Sequence, residues 1–216
     1  METYWIVGSP CAGKTTIADM LGQEHNLRVY HLDRYYESYL RRAELDKHPY
    51  LTHIKGLGQR FLALPHEEQL ERVKKISAEQ FEFILADIAT WREDDPDTPI
   101  LVEGANIRIE DVLLHIETLN QLICIVPTED FLFKTYPRRG TWVQDVLANF
   151  PDNERLTVFE QWMTRDSHHA QWAVGTATEH GVKLIEVDGS NRILENAAIV
   201  EAHFGLPPYL QEELYD

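Results

Sequence analysis

A short apolar run and an amphipathic one flank Gly8-Ser9-Pro10-Cys11-Ala12-Gly13-Lys14-Thr15 near the N-terminus. The spacing fits G-x-x-x-x-G-K-[ST], the phosphate-binding P-loop pattern. Before it, Thr3-Tyr4-Trp5-Ile6-Val7 is β-branched and aromatic and predicts a strand. After it, Thr15–Gln23 carries Ile17, Ala18, Met20 and Leu21 at helical spacing. Strand, glycine loop and helix in this order build an anion site, because loop amides converge on a helix N-terminus that carries partial positive charge. The nucleotide-binding segment then comprises Gly8, Ser9, Pro10, Cys11, Ala12, Gly13, Lys14, Thr15 and Thr16. Lys14 is expected to reach the β/γ-phosphates, Thr15 to put its hydroxyl on Mg²⁺, and Thr16 to meet another phosphate oxygen. The competing reading is a glycine turn that happens to carry Lys-Thr, and the flanking elements weaken it.

With 216 residues the chain suits one domain with room for an inserted subdomain. No stretch approaches the length of a membrane span, and Met1-Glu2-Thr3 lacks the basic region of a signal peptide, so a cytoplasmic protein without a membrane partner is expected. The formal net charge of −16 argues against a nucleic-acid partner, which needs an extended basic surface. Anion binding must then depend on local cations working against the global field: the loop amides, Lys14 and the pair Arg138-Arg139. Of two cysteines, Cys124 reads as a small core residue and Cys11 as loop filler, although a lowered thiol pKa beside Lys14 is the alternative. His168-His169 is a poor metal pair, because neighbours on a helix point apart, and reads as solvated surface.

Further strands are predicted at Arg28–Leu32, Ile100–Val102, Gln121–Val126 and Val182–Val187. Helices are expected at Tyr35–Leu45, His66–Trp91, Ile109–Leu119, Thr128–Tyr136, Asp152–His180 and Asn191–His203. His48–Pro65, with Gly56, Gly58 and two prolines, reads as irregular. Strands alternating with helices imply a parallel sheet covered on both faces, α/β in class, with five strands.

On the phosphate loop and this element order, the chain resembles the P-loop kinases of the nucleoside, nucleotide and shikimate type. The resemblance spans nearly the whole chain as element order and is specific at residue level only in the loop. It implies a single kinase domain over residues 1–216 with strand order 2-3-1-4-5. It also implies a helical acceptor-binding insertion at 45–95 and an arginine-bearing lid at 128–150. The [NT]-K-x-D guanine signature of Ras-like GTPases is absent.

Asp33 ends strand two on the side where open parallel sheets bind ligands. Its carboxylate suits a base for an attacking hydroxyl, or a group holding Mg²⁺; a helix cap is the alternative. A base serves a hydroxyl acceptor and is unnecessary for an ionised phosphate, so Asp33 favours the former. Glu103 ends strand three and is expected beside the loop, as a metal or acceptor contact or as a plain turn acid. Gly104 would let a ligand approach closely, and Asn106, Arg108 and Arg34 complete the candidate acceptor contacts. The resemblance gives Arg138 and Arg139 the closing role over the γ-phosphate, with surface charge as the alternative, and Arg165 resembles a further arginine on the following helix. It also places an adenine-contacting loop at Asp188-Gly189-Ser190. The tyrosines at 35, 36 and 39 suit either ring stacking or core packing, and Trp142 shares that ambiguity.

The expected activity is ATP- and Mg²⁺-dependent phosphorylation of a hydroxyl on a small molecule, catalysed by Lys14, Asp33, Arg138 and Arg139. The metal would sit among Thr15, Asp33 and Glu103. A nucleoside-monophosphate kinase, or an ATP-binding regulatory or toxin-like module with little catalysis, are the alternatives. The acceptor's identity and the choice between monomer and homodimer stay open.

Overall fold

Tyr4 and Ile6 face one side of strand β1 (Thr3–Gly8), Trp5 and Val7 face the other, and all four are buried. Such two-sided burial is what a strand in the middle of a helix-covered parallel sheet requires. The computed structural model describes residues 2–138 and 140–212, so Arg139 lies outside the described residues. Strands β2 (Arg28–His31), β3 (Ile100–Glu103), β4 (Leu122–Pro127) and β5 (Lys183–Val187) join β1 in an all-parallel sheet of order β2-β3-β1-β4-β5. The class and strand order match the expectation.

Two apolar layers cover the sheet. On one face Ile6, Leu101, Ile123 and Ile125 pack against helices α1 (Lys14–Glu24) and α9 (Ile193–Phe204). On the other face Trp5, Val102, Cys124 and Val126 pack against α4 (His66–Asp94) and α8 (Arg155–Glu179). The remaining helices are α2 (Leu32–Arg42), α3 (Pro49–Leu57), α5 (Ile109–Leu113), α6 (Glu129–Thr135), α7 (Thr141–Leu147) and α10 (Tyr209–Glu212). A third apolar cluster, with Tyr136, Val143, Leu147 and Trp162, ties α6 and α7 to α8. Burial pushes the Cys124 thiol up to about 12, as befits a core residue. Among the described residues, no helix is long and apolar enough to cross a membrane.

Several stretches depart from expectation, among them Thr141–Leu147 and Tyr209–Glu212, which are helical where no helix is expected. Residues 48–65 are helical, as α3 followed by a 3₁₀ segment at Gly58–Ala63. Pro49 occupies the first turn of α3, where its missing N–H costs nothing. Leu51, Ile54 and Phe61 are buried, so tertiary packing overrides the glycines. Helix α5 is shorter than expected; after it, Thr118 and Gln121 form a capping box that starts a separate turn. Helix α2 begins at Leu32, so Asp33 lies in its first turn and not at a strand end.

Candidate functional site

The connection from β1 into α1 takes positive φ at Gly8 (130°), Cys11 (67°) and Gly13 (77°). At Gly8 a Cβ would stand 2.0 Å from the Ile125 carbonyl oxygen of β4, so no side chain fits there. Gly13 is the N-cap of α1 in the left-handed region. No side chain caps α1, and its first turn contains no acidic residue. The N-terminal amides of α1 therefore meet no protein carboxylate on their own turn, which suits them to an exogenous anion. Lys14 begins this helix; it is buried, and its Nζ donates to the Ser9 carbonyl at 2.6 Å.

The loop forms one wall of a cleft of about 1080 Å³. Residues 10–16, Asp33, Glu103 and Asn106 all border it, together with side chains of α3, α4, α7 and α8. The sheet register explains the acidic corner. Glu103 lies beside Ile6 on one side and His31 on the other. Its Oε1 accepts from the Thr15 hydroxyl at 3.2 Å and sits 2.8 Å from His31 Nδ1, while His31 Nε2 lies 3.1 Å from Asp19. None of these bonds uses Glu103 Oε2. A hydroxyl and a carboxylate in mutual contact are hard oxygen donors, the kind Mg²⁺ takes alongside water and phosphate oxygens, so the residues present fit that ion. Among the described residues no group of three or more His, Cys, Asp and Glu side chains could hold a metal ion.

Across the loop, α8 supplies a polar cluster. The Ser9 hydroxyl donates to the Asp166 carbonyl at 3.1 Å. The buried Asp166 carboxylate accepts from Tyr136 OH at 2.8 Å and from Arg165 Nε and Nη2 at 2.8 and 2.6 Å. Arg165 also reaches Gln69 Oε1 at 3.4 Å, and Gln69 in turn donates to the Leu62 and Leu64 carbonyls. One turn on, His169 is buried, and its Nδ1 has no hydrogen-bond partner. Desolvation holds its imidazole down at about 4, so it is neutral at pH 7.

Other candidate residues lie elsewhere. Arg138 is exposed and does not border the cleft, whereas Arg165 does. Arg34 is exposed and also stands off the cleft. Arg108 turns toward Asp111 at 3.5 Å and Glu110 at 4.0 Å. Gly104 is buried against Leu32, whose Cβ would lie 2.7 Å from an added methyl; its small size serves packing and not ligand approach. Asp188 accepts from the Ser190 amide and hydroxyl and is not part of the cleft wall. Tyr30, Tyr35 and Tyr39 stack together, Tyr39 bonds Tyr30, and Tyr30 and Arg42 both bond Asp87. Of the tyrosine cluster only Tyr36 borders the cleft. The expected surface position of His169 is corrected by its burial, because the helical phase of α8 sets it on the same face as Trp162, Asp166 and Ala173.

Local sequence patterns do not single out His31, Tyr136 or Asp166 as site residues. One signal was present: Asp166 and Ala170 share the spacing of the apolar stripe of α8, so a carboxylate interrupts a buried face.

No protein-family model matches the sequence, and no curated protein matches it. Among solved structures, the chain is similar to an uncharacterized protein from Eubacterium ventriosum at 11% identity, over 95% of this chain and 99% of that one, with a TM-score of 0.45. It is also similar to a protein described as a putative kinase from Chloroflexus aurantiacus at 16% identity, over 94% of this chain and 97% of that one, with a TM-score of 0.42.

Proposed function

We propose that this protein is an ATP-dependent kinase that phosphorylates a hydroxyl group of a small molecule. The observation that carries the reading is one cleft bordered by three things at once: the uncapped, acid-free start of α1, the buried Lys14, and the two carboxylates Asp33 and Glu103. An uncapped helix start plus an ammonium favours a phosphate chain. Carboxylates beside an anion site are costly unless a cation or a proton transfer employs them.

In this reading residues 8–16 hold the phosphates of ATP. Thr15 and Glu103, with Asp33 at the cleft wall, would hold Mg²⁺, whose chemistry is to offset charge on the transferring group. Asp33 orients the acceptor hydroxyl and takes its proton. The hydroxyl oxygen bonds to the γ-phosphorus as the bond from that phosphorus to the β–γ bridging oxygen breaks, and ADP leaves with that oxygen. Lys14 and Arg165 stabilise the charge spread over the equatorial oxygens. Arg165 takes the role expected of Arg138, since it is the one on the cleft wall. Segments 45–95 and 128–150 are read as the acceptor-binding insertion and the closing segment.

The deciding experiment pairs calorimetry with product detection. The wild-type chain is expected to bind a non-hydrolysable ATP analogue with Mg²⁺ and to yield ADP plus a phosphorylated alcohol. Lys14→Ala should keep the fold, by circular dichroism, and lose turnover. Turnover retained in Lys14→Ala would overturn the assignment. Tight analogue binding with no phosphorylated product from any acceptor would favour a nucleotide-binding module instead.

A further inference from the structure

The half of the cleft away from the phosphate loop has a one-sided chemistry. Ile54, Phe61 and Ile76 are buried there, and Leu40, Leu62 and Val73 are half-buried beside them. Rings also border the cleft: Tyr36 from α2, and Trp142 with Trp162, whose centroids lie 5.5 Å apart; the apolar cluster of Trp162 also meets Cys11 of the loop. No charged side chain belongs to the group Leu40, Ile54, Phe61, Leu62, Val73 and Ile76, and two cations border the cleft beside it. Arg165 is the one arginine among the described residues of the wall; Asp166 holds its guanidinium, which the kinase reading assigns to the phosphates. Lys55 is exposed at the rim, as is Glu37. Arg60 does not border the cleft, and Arg72 pairs with Glu68 at 2.8 Å on the outer face of α4.

Among the described residues, a carboxylate or phosphate set directly against Ile54, Phe61 and Ile76 would exchange hydration for contact with carbon, since Lys55 is exposed at the rim and Arg165 is held by Asp166. That penalty amounts to several kcal/mol for an unpaired ion. An apolar body would instead release water from both surfaces. Resting on the kinase reading above, we propose that the acceptor is an uncharged alcohol with a large, ring-bearing apolar body. Its hydroxyl end faces Asp33 and Lys14, and its body lies among Leu40, Ile54, Phe61 and Ile76.

The test uses the full chain saturated with AMP-PNP and Mg²⁺, titrated with three probes that share one ring system. They are 2-(2-naphthyl)ethanol, 2-naphthylacetate and 2-naphthyl phosphate. The alcohol should bind at least about tenfold more tightly than either anion. Leu40→Asp and Val73→Asp, both at half-buried positions and each checked by its melting temperature, should each weaken the alcohol by at least about tenfold and leave AMP-PNP affinity unchanged. The proposal is overturned if either anion binds as tightly as the alcohol, if neither substitution affects the alcohol, or if none of the three probes binds the AMP-PNP complex. Failure of AMP-PNP itself to bind would instead strike the kinase reading, so the two failures are told apart by the first titration.

Discussion

His169 shows how much one buried side chain can shape the behaviour of this site. Its neighbours are Asp166, Arg165, Lys14 and Lys74, and desolvation outweighs the attraction of Asp166 for its proton. The folded state holds the imidazole at about 4 against an ordinary value of 6.5. Between those values the unfolded chain binds the proton and the folded chain does not. Stability is therefore fully retained above pH 6.5 and declines as pH falls toward 4. In urea titrations at pH 7 and about pH 4.5, His169→Gln is expected to shrink the acid loss of stability by about 2 kcal/mol. Equal losses in the two proteins would show that His169 does not titrate between the states. At Asp33 the expectation concerns rate. Asp33→Asn keeps shape and removes basicity, so kcat should fall by roughly 10²–10⁴ with little change in nucleotide affinity. An unchanged kcat would leave Asp33 a residue of the first turn of α2 and no more. The backbone geometry of the loop is legible from spacing: Gly8 and Gly13 take positive φ, and α1 begins at Lys14. Arg138 and Arg165 were not separable, because only the phase of α8 and the path of the α6–α7 connection decide which guanidinium borders the cleft.

Helix α3 was read as irregular because Gly56, Gly58 and Pro65 dominate its local signal. Besides its buried apolar side chains, a distant cap supports it as a helix. The Glu79 carboxylate of α4 accepts from the Tyr50 amide at 3.0 Å and the Leu51 amide at 2.7 Å. Two orphan amides of the first turn are satisfied by a residue 28 or 29 positions away, a relationship no local window detects. Glu79→Ala should cost about 1 kcal/mol, in the range of a lost cap. Amide exchange should accelerate first across residues 49–57, and, on the proposed placement of the acceptor beside Ile54, the acceptor KM should rise more than kcat falls. Uniform acceleration over the whole chain would contradict this. Helix α6 behaved in the opposite way: its Thr128 cap, accepting from the Phe131 amide at 3.4 Å, is a local signal and was readable as such.

At the scale of the whole molecule, a charge of −16 surrounds the site proposed for a polyanion. If ATP is the ligand, the long-range field repels it, while the short-range groups, Lys14 and the start of α1, attract it. Salt screens the first over a Debye length of about 8–10 Å and the second far less. Stopped-flow association of a fluorescent ATP analogue should therefore quicken as salt rises from about 10 to 150 mM, the reverse of ordinary electrostatic steering. A rate that falls with salt would mean that a local cationic funnel dominates the approach.

The sequence by itself determined the parallel α/β sheet and the position of the glycine loop. Both follow from short-range causes: alternating and continuous apolar runs, a cap, a left-handed glycine. The tertiary structure alone decided which side chains share the cleft. Ser9 meets Asp166 across 157 residues, Thr15 meets Glu103 across 88, and His31 meets Glu103 across 72. Such contacts depend on strand register and on the rotation of each helix about its axis. Those are set by the summed packing of the two apolar layers, and no segment of the chain carries that sum alone.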